Sequence, residues 1–206
     1  MNDRAFLARI RVELLDRDKH DRSLFFCGED RVDNFLKKTA ARPQDEDLTR
    51  VIVACEGDAN VVIGYCALNT HAIDASTLPE PIRKKLPSYP LIAAIYLSVV
   101  GVHNEHQGSG LGSFLMADAF ARCVEVADRV GAHFLVLDAV NERAANLYRR
   151  LGFIDLPSHE PRMIITMKLL RKAVAAARSQ SIGVLSLTDQ ADPPALPNFN
   201  PPDRTP

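Results

Sequence analysis

Between Val100 and Gly112 an apolar run breaks into a polar turn and then a glycine-rich loop, VGVHNEHQGSGLG, which opens a helix. Gly108, Gly110 and Gly112 carry no Cβ, so the backbone there can bend sharply and bring several N–H groups to one point. The helix that follows adds the positive end of its dipole and its first unpaired amides. Such a place suits a pyrophosphate; the plainer alternative is a tight strand-to-helix turn that binds nothing. Spacing narrows the choice. A dinucleotide fingerprint needs G-x-G-x-x-G, but here the third glycine comes one position early and Ser113 stands in its place. A nucleoside triphosphate loop needs Gly-Lys-Ser/Thr, and no lysine is near. The stretch does contain Gln-x-x-Gly-x-Gly, from Gln107 to Gly112, with Ser109 and Leu111 among its variable positions.

The flanking pattern gives the loop its setting. Leu91 to Val102 reads as a long apolar strand that feeds it. After the loop Met116, Phe120, Cys123, Ala127 and Val130 recur at helical spacing as a buried stripe, and Gly131 reads as the stop. Phe134 to Ala139 is nearly continuous apolar sequence, as expected of a strand covered on both faces. Strand, helix, strand in this order implies a right-handed parallel crossover. Asn141 then caps a second helix with Ala144, Leu147, Tyr148 and Leu151 expected inside and Gly152 at its end. Met163 to Leu169 is expected as a last strand.

Upstream, Ile10 to Leu15 reads as an opening strand, and Val32, Phe35 and Leu36 mark one face of a short helix from Asp30. Pro43 to Asp47 is expected as an exposed loop. Val51 to Ala54 and Val61 to Leu68 make an antiparallel hairpin. Leu78 to Pro90, punctuated by Pro79, Pro81, Pro87 and Pro90, is an excursion with at most a turn or two of helix.

With 206 residues, 47% hydrophobic and 25% charged, the chain has the makeup of one globular domain with an appendage. The domain is expected over residues 1–170. Pro193, Pro194, Pro197, Pro201, Pro202 and Pro206 crowd the far end, so residues 171–206 are expected to form a flexible tail. A formal net charge of -1 gives no global attraction to nucleic acid or anionic membrane, so a polyanion would have to be held by local clusters. Candidates are Lys37, Lys38 and Arg42, then Arg83, Lys84 and Lys85, then Arg149 and Arg150; each reads equally as a solvated face. Cys27, Cys55, Cys66 and Cys123 form no C-x-x-C pair, which predicts reduced thiols and no zinc. His103, Glu105 and His106 lack the i, i+4 histidine pair of a metalloprotease helix, and no metal is expected. The charged start and the lack of any run of roughly 20 apolar residues predict a cytoplasmic protein.

The loop from Gln107 to Gly112 resembles the acyl-coenzyme A loop of the GNAT family of N-acetyltransferases. Asn141 to Phe153 is similar to that family's second signature, N-x-x-A-x-x-x-Y-x-x-x-G-F. The resemblance implies an α/β, or α+β, acyl-CoA N-acyltransferase fold, a mixed central sheet with splayed parallel strands flanked by helices. It implies that acetyl-coenzyme A is the acyl donor. Val100, Gly101 and Val102 would pair with its pantetheine arm, Gln107, Gly108, Ser109, Gly110, Leu111 and Gly112 would hold its pyrophosphate, and Asn141 would lie beside the arm. Tyr148 falls on the family's tyrosine, the usual donor to the departing thiolate; its plainer reading is a packed helix residue. The stretch from His20 to Leu36, with Gly64, Tyr65 and Arg162 to Lys168, is further similar to GNAT toxins of bacterial toxin and antitoxin pairs. These imply charged tRNA as acceptor, a ribbon-helix-helix antitoxin as partner and a homodimer. Lys37, Lys38, Arg42, Arg83, Lys84 and Lys85 would then be the RNA patch.

Direct attack by an amine on a thioester needs position and preorganised donors more than a covalent intermediate. A backbone amide near Val102 is expected to face the carbonyl oxygen and Tyr148 the sulfur, with His103, Glu105, His106 and His71 as candidate bases. Three readings stay open: acetylation of aminoacyl-tRNA, acetylation of a small amine or of a protein terminus or lysine, and a non-catalytic coenzyme A-binding module.

Overall fold

The computed structural model, which describes residues 3–157 and 161–183, sets the apolar run from Leu91 to Val102 at the centre of a seven-stranded sheet. In chain order the elements are α1 (Asp3–Leu7), β1 (Ile10–Leu14), α2 (Asp30–Asn34), a π-turn (Phe35–Thr39), α3 (Ala41–Asp45), β2 (Arg50–Glu56) and β3 (Gly64–Asp74). There follow α4 (Glu80–Arg83), β4 (Leu91–Val102), α5 (Leu111–Val130), β5 (Phe134–Asp138), α6 (Glu142–Arg150), β6 (Ile154–Asp155), β7 (Arg162–Thr166) and α7 (Met167–Gly183). The strand order is β1-β2-β3-β4-β5-β7-β6, with β4 and β5 parallel and every other neighbouring pair antiparallel. This is the mixed sheet that the family resemblance implies, and the strand, helix, strand crossover around the glycine loop joins the parallel pair as expected.

Alternation along the strands sorts the core into two faces. On one face Cys66, Leu97, Val100, Leu135 and Leu137 pack with Leu111, Leu115, Ala119 and Cys123 of α5 and with Ala144 and Tyr148 of α6. On the other, Tyr65, Val53 and Val99 pack with Val32 and Leu36 at one end, while Ile73, Ile92, Ala94 and Val136 pack with Leu78, Ile82 and Leu86 at the other. The sheet is therefore covered on both sides, which accounts for the fully buried apolar run of β5.

Several expectations are corrected. Ala41 to Asp45 is helical, because Pro43 falls in a first turn, where a missing N–H costs nothing. Gln44 is drawn into the fold, its Nε2 donating to the Leu15 carbonyl and its Oε1 accepting from Val51 N–H. β3 runs on past Leu68 to Asp74, paired throughout with Leu91 to Leu97. Val130, expected inside, is 78% exposed at the end of α5, and on α6 Ala145 is buried while Leu151, the residue that caps its C-terminus, is 40% exposed.

The expected last strand stops at Thr166, and α7 begins at Met167. Its Met167, Leu170 and Val174 stand at helical spacing and join the α5 core, and Arg171 Nε donates to Asp128 Oδ1 at 2.9 Å. A short apolar run does not itself distinguish strand from helix; docking on α5 decided this one. α7 thus runs through residue 170, where the sequence placed the end of the domain. The prolines from Pro193 onward lie outside the described residues.

Candidate active site

The parallel pairing of β4 with β5 is short. Ala94 to Leu97 face Phe134 to Leu137, and there it ends, although β4 continues to Val102. At the same level the register with β3 shifts: Leu68 opposes Leu97 but Ala67 opposes Val99, so Ser98 is an extra residue, a β-bulge. A bulge bends its strand and increases the twist, and here it turns β4 away from β5 to open a V. Ser98 Oγ lies 2.9 Å from Asn69 Oδ1 and 3.3 Å from the Ala67 carbonyl oxygen, which fixes the bulge.

Beyond the vertex, hydrogen bonding assigns each residue to an edge. His103 N–H donates to the Ile63 carbonyl at 2.9 Å, so His103 and, by alternation, Gly101 and Val99 turn their polar groups to β3. Val100 and Val102 turn theirs to the open edge of the V. Of the three residues expected to pair with an extended arm, Gly101 therefore has another task. A Cβ there would come within 2.8 Å of both Tyr65 Cε1 and Val32 Cγ1, so the glycine lets α2 close onto the sheet.

The loop after β4 turns through left-handed Gly108 (φ 79°) and Gly110 (φ 83°). The first hydrogen bond of α5 runs from Phe114 N–H to the Gly110 carbonyl, 3.0 Å, so the amides of Leu111 and Gly112 have no acceptor within the helix. No side chain caps this end. The Ser109 hydroxyl donates to the His106 carbonyl at 2.6 Å, tightening the turn. Gln107 braces the loop: its Nε2 reaches the Cys27 carbonyl at 2.9 Å and the Val102 carbonyl at 3.1 Å, and its own amide donates to Asn104. α1 covers the loop from outside, with Phe6 stacked on His106 at 5.5 Å and Leu7 Cδ1 3.4 Å from where a Gly110 Cβ would stand. The sequence signal for this cover is the apolar pair Phe6-Leu7 in an otherwise charged start.

Tyr148 is 4% exposed and joins the cluster that holds Val100, Leu111 and Leu137, with its ring 5.6 Å from Phe153. Burial pushes its hydroxyl well above the ordinary value, so it is protonated near neutrality. Among the described residues that hydroxyl has no hydrogen-bond partner. Asn141 caps α6 through Oδ1, which accepts from Ala144 N–H at 2.9 Å. Arg149 bonds both Glu142 and Asp155, which ties α6 to β6.

On the opposite face of the vertex lies a polar group that the sequence reading missed. Tyr96 donates to Asp138 Oδ2 at 2.6 Å, and Arg162 grips the same carboxylate through Nε at 2.8 Å and Nη2 at 3.1 Å. Asp138 is only 6% exposed, and the Arg162 guanidinium lies 5.5 Å from the Tyr96 ring centre. His71 stands beside Tyr96, ring centres 5.5 Å apart, its pKa lowered by burial and then by Arg162. The clue was a lone acid closing the apolar run FLVLD, since such a charge needs a partner.

The other candidate bases are committed or distant. His103 uses Nδ1 to accept from Glu105 N–H and places Nε2 3.2 Å from the Leu24 carbonyl. Glu105 and His106 sit in the 3-10 turn before the glycine loop. Lys37 and Lys38 follow Leu36, and Arg83 and Lys85 lie between Ile82 and Leu86 or beside them, so both clusters flank the face that carries Tyr96. Arg42 and Lys84 are drawn into ion pairs with Glu46 and Glu80. Arg149 and Arg150 belong to a helix packed on the other face, and do not join them.

The profile described as "Acetyltransferase (GNAT) domain" matches residues 47–155. The chain is 37% identical over 167 residues to the probable toxin TacT of Sinorhizobium fredii, covering 78% of this chain and 92% of that protein. It is 29% identical over 157 residues to the tRNA-acetylating toxin of Mycobacterium tuberculosis, covering 76% and 92%. Among solved structures, AtaT complexed with acetyl-methionyl-tRNAfMet matches with a TM-score of 0.71 at 28% identity, over 79% of this chain and 98% of that one. A mutant of the same toxin, bound to the C-terminus of the antitoxin AtaR, matches with a TM-score of 0.66 at 25% identity, over 80% and 97%.

Proposed function

The chain belongs to the GNAT acetyltransferase family, and from that premise we propose that it transfers the acetyl group of acetyl-coenzyme A to the α-amino group of an aminoacyl-tRNA. The carrying observation is the match over 92% of a relative named a tRNA-acetylating toxin. A ribbon-helix-helix antitoxin is the proposed partner, a homodimer the proposed assembly and the cytoplasm the proposed site of action. Among the described residues no helix is long and apolar enough to cross a membrane.

The residues around the V fit the donor. Val100 and Val102 offer backbone groups on an open strand edge, which is what an extended amide-bearing arm pairs with. The amides of Leu111 and Gly112, at the positive end of a 20-residue helix, meet a pyrophosphate without rearrangement. Acetyl-coenzyme A supplies the acetyl group as a thioester. An amide fixed in the sheet edge holds the charge that develops on the carbonyl oxygen, and costs no reorganisation as it does so. Tyr148 gives its proton to the sulfur as the C–S bond breaks and the C–N bond forms. Burial holds the Tyr148 hydroxyl above the ordinary phenol value of about 10, so it keeps its proton until negative charge builds on the departing sulfur, and the transfer goes with C–S cleavage.

The α-amino group of an ester-linked amino acid has a low pKa for an amine, so part of it arrives neutral. Lys37, Lys38, Arg83 and Lys85 supply the local charge for the RNA that the net charge of -1 does not. The test is to incubate the purified protein with acetyl-coenzyme A and bulk charged tRNA, then to identify N-acetylated aminoacyl ends by mass spectrometry. Acetylation of small amines or protein termini with charged tRNA left untouched would move the acceptor to the second reading.

A further inference from the structure

We infer that the Tyr96 hydroxyl, anchored by Asp138, is the group that receives the acceptor amine and takes up its proton. The inference rests on the acetyltransferase reading above and assigns the amine-binding half of the same site.

Leu97 and Leu137 are the last residues paired across β4 and β5. Tyr96 stands one residue before that vertex and Asp138 one residue after it, so their hydrogen bond closes the V on the face opposite α5 and Tyr148. An arm lying along the open edge of Val100 and Val102 ends at this vertex. An amine approaching from the other face meets Tyr96 there.

The energetics point the same way. Asp138 ends a strand that is otherwise wholly apolar and buried, and a carboxylate at such a place is costly unless it is paired. The pairing with Arg162 offsets the cost but gains little over an apolar pair of similar volume, so stability alone is a weak account of the cluster. Arg162 balances the charge, and the carboxylate still accepts the Tyr96 proton at 2.6 Å. A phenol oxygen that donates in this way gains electron density and accepts from an incoming N–H.

The step balances. As nitrogen bonds to the acetyl carbon, its proton passes to the Tyr96 oxygen while the Tyr96 proton passes to Asp138 Oδ2, which later releases it to water. The groups facing Tyr96 are His71 from β3, Asp138 from β5 and Arg162 from β7, with Asn69 and Ser98 beside them on β3 and β4.

The experiment compares the wild type with Tyr96→Phe, which keeps the ring and the Asp138–Arg162 pair. Both are assayed from pH 6 to pH 9 with charged tRNA and with methionine methyl ester, and acetyl-coenzyme A affinity is measured by calorimetry. The expected result is unchanged donor affinity and a kcat lower by about ten- to a hundredfold near neutrality, narrowing as hydroxide takes over at higher pH. A variant within twofold of the wild type at every pH overturns the assignment and leaves acetyl transfer standing. A uniform loss at all pH values with weakened donor binding also overturns it, since that is the mark of a structural role. A wild type inert towards both acceptors removes the aminoacyl reading and this inference with it.

Discussion

Leu97 and Leu137 are the last partners across the parallel pair of β4 and β5, and past them β4 keeps β3 as its only sheet neighbour among the described residues for five more residues, Ser98 to Val102. The split costs β4 a set of ladder hydrogen bonds on one edge. In return it leaves the amides of Val100 and Val102 facing a gap that opens towards the glycine loop. Tyr148 is packed on one side of this gap and Tyr96 on the other.

Gly110 is left-handed at φ 83° and serves as the N-cap of α5. Gly110→Val places a β-branched residue where such a residue is strained by about 1–3 kcal/mol, and turns the loop amides off their common point. Calorimetry should show acetyl-coenzyme A affinity down at least about tenfold, with the circular dichroism spectrum kept. Undiminished binding would mean the loop does not hold the donor.

Tyr148→Phe removes one oxygen from a residue packed by its ring. The variant should fold and bind acetyl-coenzyme A as the wild type does, and lose about two to four orders of magnitude in turnover. An unchanged rate would show that the thiolate leaves without the phenol.

Arg83, Lys84 and Lys85 are all exposed, and Lys84 is already paired with Glu80 at 2.7 Å. Replacing the three with alanine should raise the KM for charged tRNA and flatten its dependence on salt, with Arg83 and Lys85 accounting for most of the change. Acetyl-coenzyme A affinity should not move. A KM and salt slope equal to those of the wild type would place the RNA elsewhere.

Leu170 is 1% exposed between α7 and α5. Leu170→Ala should cost about 2–5 kcal/mol in a urea melt, the usual range for a leucine truncated in a core. A loss below about 0.5 kcal/mol, the size of a surface change, would mean that α7 contributes little to the domain.

The sequence by itself determined what is local. The glycine loop, the Asn141 cap, the stop at Gly131 and the burial of Tyr148 follow from backbone conformation and from spacings of three and four residues, which act within one or two turns of chain. The fold of the family was legible for the same reason, since its two signatures are local motifs in a fixed order. Val130 and Leu151 were misplaced because periodicity gives the phase of a helix face but not where the neighbouring layer ends. Met167 to Leu169 suits a strand by sequence and forms helix in the structure, because a short apolar run fits either element until a partner surface selects one.

Only the tertiary structure decided which groups meet across long stretches of chain. Gln107 braces its loop on Cys27, 80 positions away, and Tyr96 and Arg162 reach Asp138 across 42 and 24 positions. The bulge at Ser98, which opens the V, is a mismatch of register between β3 and β4 and so belongs to neither strand's sequence alone. Likewise Gly101 is a glycine because Tyr65 and Val32 close on it from two other elements. Hydrogen bonds and steric contacts depend on distance in space, and distance in space is fixed only when the sheet has chosen its neighbours and their register.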